Sequence, residues 1–201
     1  ASTLLEHAET THATSEIVSR RCEGDIHRYT IKDAASRARK LANLLSRFGV
    51  QQGDRVATLA WNGYRHWELY YGVSGFGAVL HTINPRLFAE QLVYIVNHAE
   101  DRFIFVDLTF VPLLESIKDQ ISRVEGFVIL CDEDKMPETS LPNALCYETL
   151  LANEPDDFVW PEFDERSAAT GGAGRAEPSI GRCRQAAHVS RQARRRTCRR
   201  R

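Results

Sequence analysis

The sequence predicts an α/β fold: a doubly wound, mostly parallel sheet with helices on both faces. Three short apolar runs, at residues 56–61, 78–83 and 103–106, are separated by two segments with helical periodicity. A further run of the same buried type follows at residues 127–130. Strands that alternate with helices in this way are typical of a parallel sheet covered by helices. We expect about five strands, and the sequence contains no internal repeat.

Composition agrees with one globular domain and sets its last segment apart. The chain has 201 residues, of which 43% are hydrophobic and 26% are charged. The net charge of -1 hides an asymmetry, because residues 171–201 contain ten Arg, no Lys and a single acid, Glu177. The preceding residues carry 16 basic and 26 acidic side chains. We therefore predict a domain at residues 1–170 and an Arg-rich tail at 171–201 that is disordered or translated out of frame.

The cysteines predict a reducing, cytoplasmic environment. Their number is odd, and no two of them have CxxC spacing, so neither a disulfide framework nor a zinc site is indicated. No apolar run approaches the ~18 residues that a membrane-spanning helix needs. The chain does not begin with Met, which is compatible with a start inside a longer protein or with a start after processing. The cysteines are Cys22, Cys131, Cys146, Cys183 and Cys198.

The first fifty residues predict a helix, a hairpin and a long amphipathic helix. Residues 3–9 favour a short helix, and residues 15–19 and 27–30 are β-prone runs around a polar, Gly-containing turn. Thr30 is suited to cap the next helix, with Asp33 near its positive end. Gly49 ends that helix. Its apolar face comprises Ala34, Ala38, Leu41, Leu45 and Phe48.

The segment after the first core strand is expected to be a helix that begins at Asn62 and ends in Gly-rich backbone at residues 73–77. The sequence GVSGFG does not match a dinucleotide-binding loop, because it follows a helix instead of opening one. Close helix–strand packing is the favoured interpretation of these glycines. The aromatic side chains are expected to be core, given their helical spacing, and not a platform for stacking bases. They are Trp61, Trp67, Tyr70 and Tyr71.

The rest of the domain continues the alternation. Residues 84–86 form a turn, residues 132–142 a polar surface loop, and residues 147–152 a short helix. Two apolar helix faces lie between them, and Pro112 is tolerated in the first turn of the second helix. The first face comprises Phe88, Leu92, Ile95, Val96 and Ala99, and the second Phe110, Leu113, Leu114, Ile117 and Ile121.

Two short motifs identify a resemblance. Tyr-Thr-Ile-Lys-Asp at residues 29–33 resembles the first core motif of the adenylate-forming superfamily. Gly-Phe-Gly-Ala-Val at residues 75–79, followed by Asn84 and Pro85, resembles the second. The sequence from residue 55 to residue 87 is most similar to medium- and long-chain fatty-acyl-CoA ligases. Residues 4–170 thus resemble the N-terminal part of AMP-forming acyl-CoA synthetases, which implies a partial N-terminal domain of the AMP-binding type.

The resemblance implies a two-step reaction and its ligands. A fatty-acid carboxylate attacks the α-phosphate of ATP, and the CoA thiol then displaces AMP. The complete family enzyme requires ATP, Mg²⁺ and CoA, since charge builds on the transferring phosphoryl group. Homodimers are common in the family, so assembly as a homodimer is compatible with the resemblance.

The sequence also departs from the family pattern. The Ser/Thr/Gly-rich phosphate loop should follow within a few residues of Thr170, but an Arg-rich segment stands there. The later adenine- and ribose-binding motifs and the domain with the catalytic lysine are likewise not found in the sequence. We therefore expect a truncated or out-of-frame chain that is inactive alone. It would have no catalytic residue and no tight binding of ATP, Mg²⁺ or CoA.

Three residues remain as site candidates. By resemblance to chlorobenzoate-CoA ligases, Arg86 of the Asn-Pro-Arg-Leu sequence is expected to contact a phosphate of the CoA nucleotide. His81 and Asn84 are expected at the end of the same strand, where α/β sheets place ligands, although a structural hydrogen bond is the favoured role for both. No metal site is predicted, since His66 and His98 have no partner at ligand spacing.

The Arg-rich tail raises an alternative function. Ten Arg in 31 residues suit a non-catalytic α/β module whose tail binds nucleic acid or an anionic surface. No aromatic residue interleaves with these arginines, and no nucleic-acid-binding motif accompanies them. A tail without a native binding role is therefore favoured, and specific binding of nucleic acid is not expected.

Overall fold

The computed structural model describes residues 1–164 and 167–172. Six parallel strands form one sheet in the order β7-β6-β5-β3-β4-β8, and two antiparallel strands, β1 and β2, form a separate hairpin. The strands are β1 (Glu16–Arg20), β2 (Ile26–Thr30), β3 (Arg55–Leu59), β4 (Val79–Thr82), β5 (Phe103–Val106), β6 (Gly126–Ile129), β7 (Ala144–Cys146) and β8 (Thr170–Gly172). The helices are α1 (Ser2–Thr11), α2 (Ile31–Arg47), α3 (Tyr64–Phe76), α4 (Ala89–Ala99), α5 (Val111–Ile117) and α6 (Tyr147–Ala152).

Helices cover both faces of the sheet, as the sequence predicts. Successive residues of a strand point to opposite faces, so each strand contributes to two cores. Ala57 and Ile104 belong to the core under α4 and α5. Val56 and Phe105 belong to the core under α2, α3 and α6. Burial on both faces explains why the central strands are continuous apolar runs instead of alternating patterns.

The predicted start of α2 is confirmed. The Asp33 N–H donates to Thr30 Oγ1 at 3.2 Å, and the Thr30 N–H donates to Asp33 Oδ2 at 3.0 Å. These two bonds are a reciprocal capping box, which satisfies backbone donors at the helix start. The hairpin, α1 and the short helix α6 also form where the sequence predicts them.

The predicted limits of α3 are wrong at both ends. Its N-cap is Gly63, not Asn62, and the first N–H donates to Ser19 Oγ at 3.0 Å. The helix also continues through the Gly-rich segment and ends at Gly77, whose φ of 95° is in the left-handed region. A Cβ on Gly72 would lie 2.6 Å from Leu41 Cδ2, so this glycine permits close packing of α3 on α2.

The aromatic group is only partly core. Trp67 and Tyr71 pack against buried residues of α1 and α2. Trp61 and Tyr70 are each 46% exposed, so their assignment to the core is wrong. Phe88 is likewise not part of the apolar face of α4, because it is the N-cap of that helix and its side chain is 79% exposed.

Two short strands of the sheet were not predicted. Strand β7 follows the polar loop and pairs with β6, and β8 pairs with β4. Gly171 and Gly172, the first residues of the predicted tail, belong to β8. The predicted disorder of the remaining tail concerns residues 173–201, which lie outside the described residues. Among the described helices, none combines the length and the apolar character needed to cross a membrane.

Candidate functional site

The loops that follow the parallel strands meet at one edge of the sheet, here called the carboxyl edge. Strands β3, β4, β5, β6 and β8 all end there because they run in the same direction. The loops after β3 and β5 are tied together, since the Trp61 N–H donates to Asp107 Oδ2 at 2.6 Å. In open α/β sheets, ligands bind outside the carboxyl ends of the strands. A ligand site is therefore expected at this edge.

The loop after β4 presents Arg86 on a fixed turn. The Arg86 N–H donates to Asn84 Oδ1 at 3.0 Å, and the Leu87 N–H donates to the Asn84 carbonyl at 3.2 Å. These bonds hold residues 84–87, here called the Arg86 turn, while both polar side chains remain exposed. Among the described residues, the Arg86 guanidinium has neither an ion pair nor a hydrogen bond. The turn thus offers an unpaired positive charge with all its donors available.

His81 lies inside the molecule, one strand position before Thr82. Its ring is buried, and Nδ1 lies 2.7 Å from Asp101 Oδ2. Burial raises the pKa of the Asp101 carboxyl, and the neighbouring His81 opposes that rise. The other two candidates, His81 and Asn84, therefore differ in position. Asn84 shapes the exposed turn, whereas His81 pairs with a buried carboxyl group.

A cleft of about 580 Å³ opens between the hairpin and α3 near the end of β4. Its walls are mainly apolar and aromatic, and they include the half-exposed rings of Tyr70 and Trp67. His66 also lines it, and burial lowers the pKa of this imidazole, which favours the neutral form at neutral pH. The cleft is suited to apolar groups, and it holds no catalytic arrangement. It is lined by Ile17, Val18, Ser19, Asn62, Gly63, Tyr64, His66, Trp67, Tyr70 and Thr82.

A second arginine, Arg65, is enclosed by acceptors. Its Nη1 donates to Glu23 Oε1 at 2.7 Å and to the Leu130 carbonyl at 2.9 Å. Its Nε donates to Glu148 Oε1 at 2.8 Å, and its Nη2 donates to Asp132 Oδ1 at 2.6 Å. The residue is only 5% exposed. It joins the hairpin connection, the end of β6 and the start of α6.

Arg37 extends this arrangement into the core. Its Nε donates to Glu68 Oε1 at 2.7 Å, and its Nη2 donates to Glu148 Oε1 at 2.9 Å. The Tyr147 hydroxyl donates to the other Glu68 oxygen at 2.8 Å, which completes the coordination of a fully buried carboxylate. We call this group the Arg65 cluster. Its members are Glu23, Arg37, Arg65, Glu68, Asp132, Tyr147 and Glu148.

The pKa values of the two central carboxyl groups of the cluster are shifted in opposite directions. Burial raises the pKa of Glu68, although Arg37 opposes the rise. Burial acts the same way on Glu148, but Arg37 and Arg65 together hold its pKa below the ordinary value. Most donors and acceptors of the cluster are already paired within it. The cluster therefore positions the hairpin and α6, and it is not arranged to bind a substrate.

Sequence reasoning missed the Arg65 cluster. The acidic partners of Arg65 lie far from it along the chain: Glu23 is 42 residues away, Asp132 is 67 and Glu148 is 83. No periodicity links such positions. The available signal was the presence of Arg65 and Glu68 in a helix that is otherwise largely apolar and aromatic. Within residues 1–164 and 167–172, no group of three His, Cys, Asp or Glu side chains could hold a metal ion.

The fold and its carboxyl edge define a class of protein. Open α/β proteins with a doubly wound parallel sheet typically bind ligands at this edge. The family model described as AMP-binding enzyme matches residues 4–167. The chain belongs to this family.

Several curated relatives are CoA ligases by name. The chain is 42% identical over 167 residues to a medium-chain-fatty-acid–CoA ligase of Ectopseudomonas oleovorans, covering 83% of this chain and 31% of the relative. It is 44% identical over 169 residues to a 3-methylmercaptopropionyl-CoA ligase of Ruegeria lacuscaerulensis, covering 84% and 31%. It is 43% identical over 158 residues to a long-chain-fatty-acid–CoA ligase of Thermus thermophilus, covering 79% and 28%. The chain thus spans less than a third of these relatives and corresponds to their N-terminal part.

Solved structures show the same fold at low sequence identity. An anthranilate CoA ligase in complex with anthranoyl-AMP superposes with a TM-score of 0.73 at 20% identity, over 83% of this chain and 30% of that one. A fatty acyl CoA synthetase of Mycobacterium tuberculosis gives a TM-score of 0.64 at 19% identity, over 85% and 32%. At such identities the likeness establishes the architecture. The predicted α/β fold of the adenylate-forming N-terminal domain is confirmed.

Proposed function

We propose that this chain provides the N-terminal part of an AMP-forming ligase that joins a medium- or long-chain fatty acid to CoA. The observation that carries the proposal is the Arg86 turn, which presents an unpaired guanidinium at the carboxyl edge of a family fold. The names of the relatives at 42% and 43% identity support the substrate class. Arg86 would contact a phosphate of the CoA nucleotide.

A guanidinium on a fixed turn is well suited to this task. Its planar fork donates two parallel hydrogen bonds to phosphate oxygens, and charge assistance strengthens each bond. The turn is held by its own backbone and Asn84 bonds, so little additional ordering is needed when a ligand binds. The contact would position CoA, and Arg86 would take no part in bond making.

The reaction proposed for the complete enzyme is the one that the family resemblance implies. A carboxylate oxygen of the fatty acid attacks the α-phosphorus of ATP, and pyrophosphate leaves. The CoA sulfur then attacks the acyl carbonyl carbon, and AMP leaves. Mg²⁺ neutralises charge on the phosphates when it is bound. This chain contributes the sheet edge and Arg86, and we assign it no catalytic residue.

The chain alone is expected to be inactive and to bind ATP, Mg²⁺ and CoA weakly. The sequence contains no Ser/Thr/Gly-rich loop after Thr170 to surround the ATP phosphates. The alternative function, binding of nucleic acid or an anionic surface, depends on residues 173–201. Those residues lie outside the described part of the chain, and no structural observation favours that function.

Location and assembly belong to the same proposal. The three described cysteines, Cys22, Cys131 and Cys146, are free thiols, which suits a cytoplasmic protein. The exposed rings of Phe88 and Tyr94 on the α4 side offer apolar surface for a homodimer. Light scattering across a concentration series would detect the dimer, and a constant monomer mass would contradict it.

A chimera tests the function directly. Residues 4–167 of this chain would replace the matching segment of the Ectopseudomonas oleovorans ligase. The chimera is expected to form octanoyl-CoA from octanoate, ATP and CoA, whereas the 201-residue chain is expected to form none. A chimera that melts cooperatively as a single species yet makes no acyl-CoA would contradict the proposal. Turnover by the chain alone would contradict its expected inactivity.

A further inference from the structure

Three sulfur atoms lie together at the carboxyl ends of β6 and β7. Cys131 Sγ is 4.0 Å from Cys146 Sγ and 3.9 Å from Met136 Sδ. The Cys146 thiol donates to the Cys131 carbonyl at 3.2 Å. The last residue of β7, Cys146, thus faces Cys131, which lies two residues beyond the end of β6.

The backbone brings the two cysteines within bonding range. Ile129 pairs with Cys146 across β6 and β7, and the Cys131 N–H donates back to the Ile129 carbonyl at 3.0 Å. This bond turns the chain just after β6, so Cys131 remains beside β7 instead of continuing away from it. The two sulfurs thereby lie 4.0 Å apart. The sulfurs need to approach by about 2 Å to bond.

We propose that this thiol pair is an oxidation site, at which hydrogen peroxide converts Cys131 and Cys146 into an intramolecular disulfide. In the first step, the Cys146 sulfur attacks peroxide, which yields a sulfenic acid and one water. In the second step, the Cys131 sulfur attacks the Cys146 sulfur, and the hydroxyl leaves with the thiol proton as a second water. The two thiols lose two electrons in total, and the peroxide is reduced.

Burial decides which cysteine reacts first. Cys146 is half-buried, whereas Cys131 is completely buried. A dissolved oxidant therefore reaches Cys146 and not Cys131. Burial also raises the pKa of the Cys131 thiol to about 12, so the second step, which needs the Cys131 thiolate, is expected to be the slower one. Cys131 is instead positioned to attack the oxidised Cys146 sulfur beside it. Cys22 is exposed, and no described cysteine lies beside it.

The bond would fasten the two strand ends that hold Arg65. Cys131 lies between Leu130 and Asp132, both of which accept from Arg65, and Cys146 immediately precedes α6 and Glu148. Closing a loop of about 15 residues restricts the unfolded chain. We expect the melting temperature of the oxidised protein to exceed that of the reduced protein by about 5–10 °C.

Peptide mapping of the 201-residue chain tests the proposal. Lys135 lies between the two cysteines, so trypsin places Cys131 in the peptide of residues 124–135 and Cys146 in that of residues 136–166. After treatment with peroxide, most of these two peptides are expected to be joined, and dithiothreitol should separate them. If the two peptides stay separate while Cys22 is oxidised, or if either is joined to Cys22 instead, the proposal is wrong.

Two variants complete the experiment. Cys146→Ser is expected to abolish the joined peptide and the rise in melting temperature, whereas Cys22→Ser should keep both. In Cys131→Ser, the sulfenic acid at Cys146 lacks its partner and is expected to proceed to sulfinic acid. The mapping of the unsubstituted chain decides the question even if a variant fails to fold.

Discussion

Two arginines at the same edge of the sheet stand in opposite surroundings. Arg65 is 5% exposed and donates to three carboxylates and one carbonyl, whereas the exposed Arg86 guanidinium has no partner among the described residues. Both elements are held in place, the first by side chains and the second by the bonds of its own turn. A buried, saturated cation stabilises structure, and an exposed, unpaired one is available to a ligand. The comparison predicts separable effects on stability and on binding.

The largest effect is expected from Arg65→Ala. The substitution leaves the buried Glu23 without a cation and Glu148 with Arg37 alone, and removing one partner of a buried ion pair typically costs about 3–5 kcal/mol. Urea denaturation followed by circular dichroism would measure the free energy of unfolding. The matched control is Arg28→Ala, which breaks an exposed pair with Glu16 and should cost about 0–1 kcal/mol. Equal losses in the free energy of unfolding for the two variants would contradict the structural role of Arg65.

A smaller loss is expected from Tyr147→Phe. The hydroxyl is a donor to the buried Glu68, so its removal leaves one carboxylate oxygen without that bond, at a cost of about 1–3 kcal/mol. The measurement is again the urea midpoint. Tyr70→Phe changes the same chemistry on a half-exposed ring and should shift stability by less than about 0.5 kcal/mol. A neutral Tyr147→Phe would show that the cluster does not depend on this bond.

Acid should weaken the cluster through Glu148. Its pKa is lower in the folded protein than the ordinary 4.5, so its contribution is present above pH 4.5 and is lost as pH falls through the folded pKa. Glu148→Gln should therefore lose less stability than the unsubstituted chain between about pH 5 and pH 3. Glu68, whose pKa is raised by burial and in part by the charge of Glu148, contributes in the opposite direction, so the difference between the two proteins reports Glu148 together with its effect on Glu68.

Urea midpoints measured at several pH values would reveal this difference. Parallel profiles for the two proteins would mean that the ion pairs of Glu148 with Arg37 and Arg65 do not stabilise its charged form. The stability of the Arg65 cluster would then depend on its other contacts.

Local patterns in the sequence predicted much of the fold. The start of α2 depends on Thr30 and Asp33, three residues apart, and the central strands are recognisable as apolar runs. The end of α3 was mispredicted because tertiary packing determines it. Gly72 fits beneath Leu41, and a Cβ on Gly75 would lie 2.8 Å from Trp160. These glycines therefore lie inside the helix and allow its close packing against α2 and Trp160. Strands β7 and β8 are three residues long and carry no readable alternation.

The residues of the site likewise differ in whether local sequence patterns predict them. The position of Arg86 after a strand and a turn is legible in a short sequence, and the resemblance supplied its expected ligand. The Arg65 cluster was not legible, because its acidic partners come from the hairpin, β6 and α6. His81 is an intermediate case. Its strand was predicted, but its hydrogen-bond partner Asp101 was not, because α4 separates the two residues in the sequence.

We propose that Arg86 binds a phosphate of CoA, whereas Arg65 stabilises the fold. The most direct test of this claim measures the KM for CoA and the melting temperature of the chimera carrying Arg86→Ala. The KM for CoA is expected to rise about tenfold, the value for one lost charge-assisted contact of about 1.4 kcal/mol, while the KM for ATP and the melting temperature stay unchanged. Arg86→Lys should recover part of the loss. An unchanged KM for CoA, or a fall in melting temperature that accounts for the loss of activity, would contradict the claim.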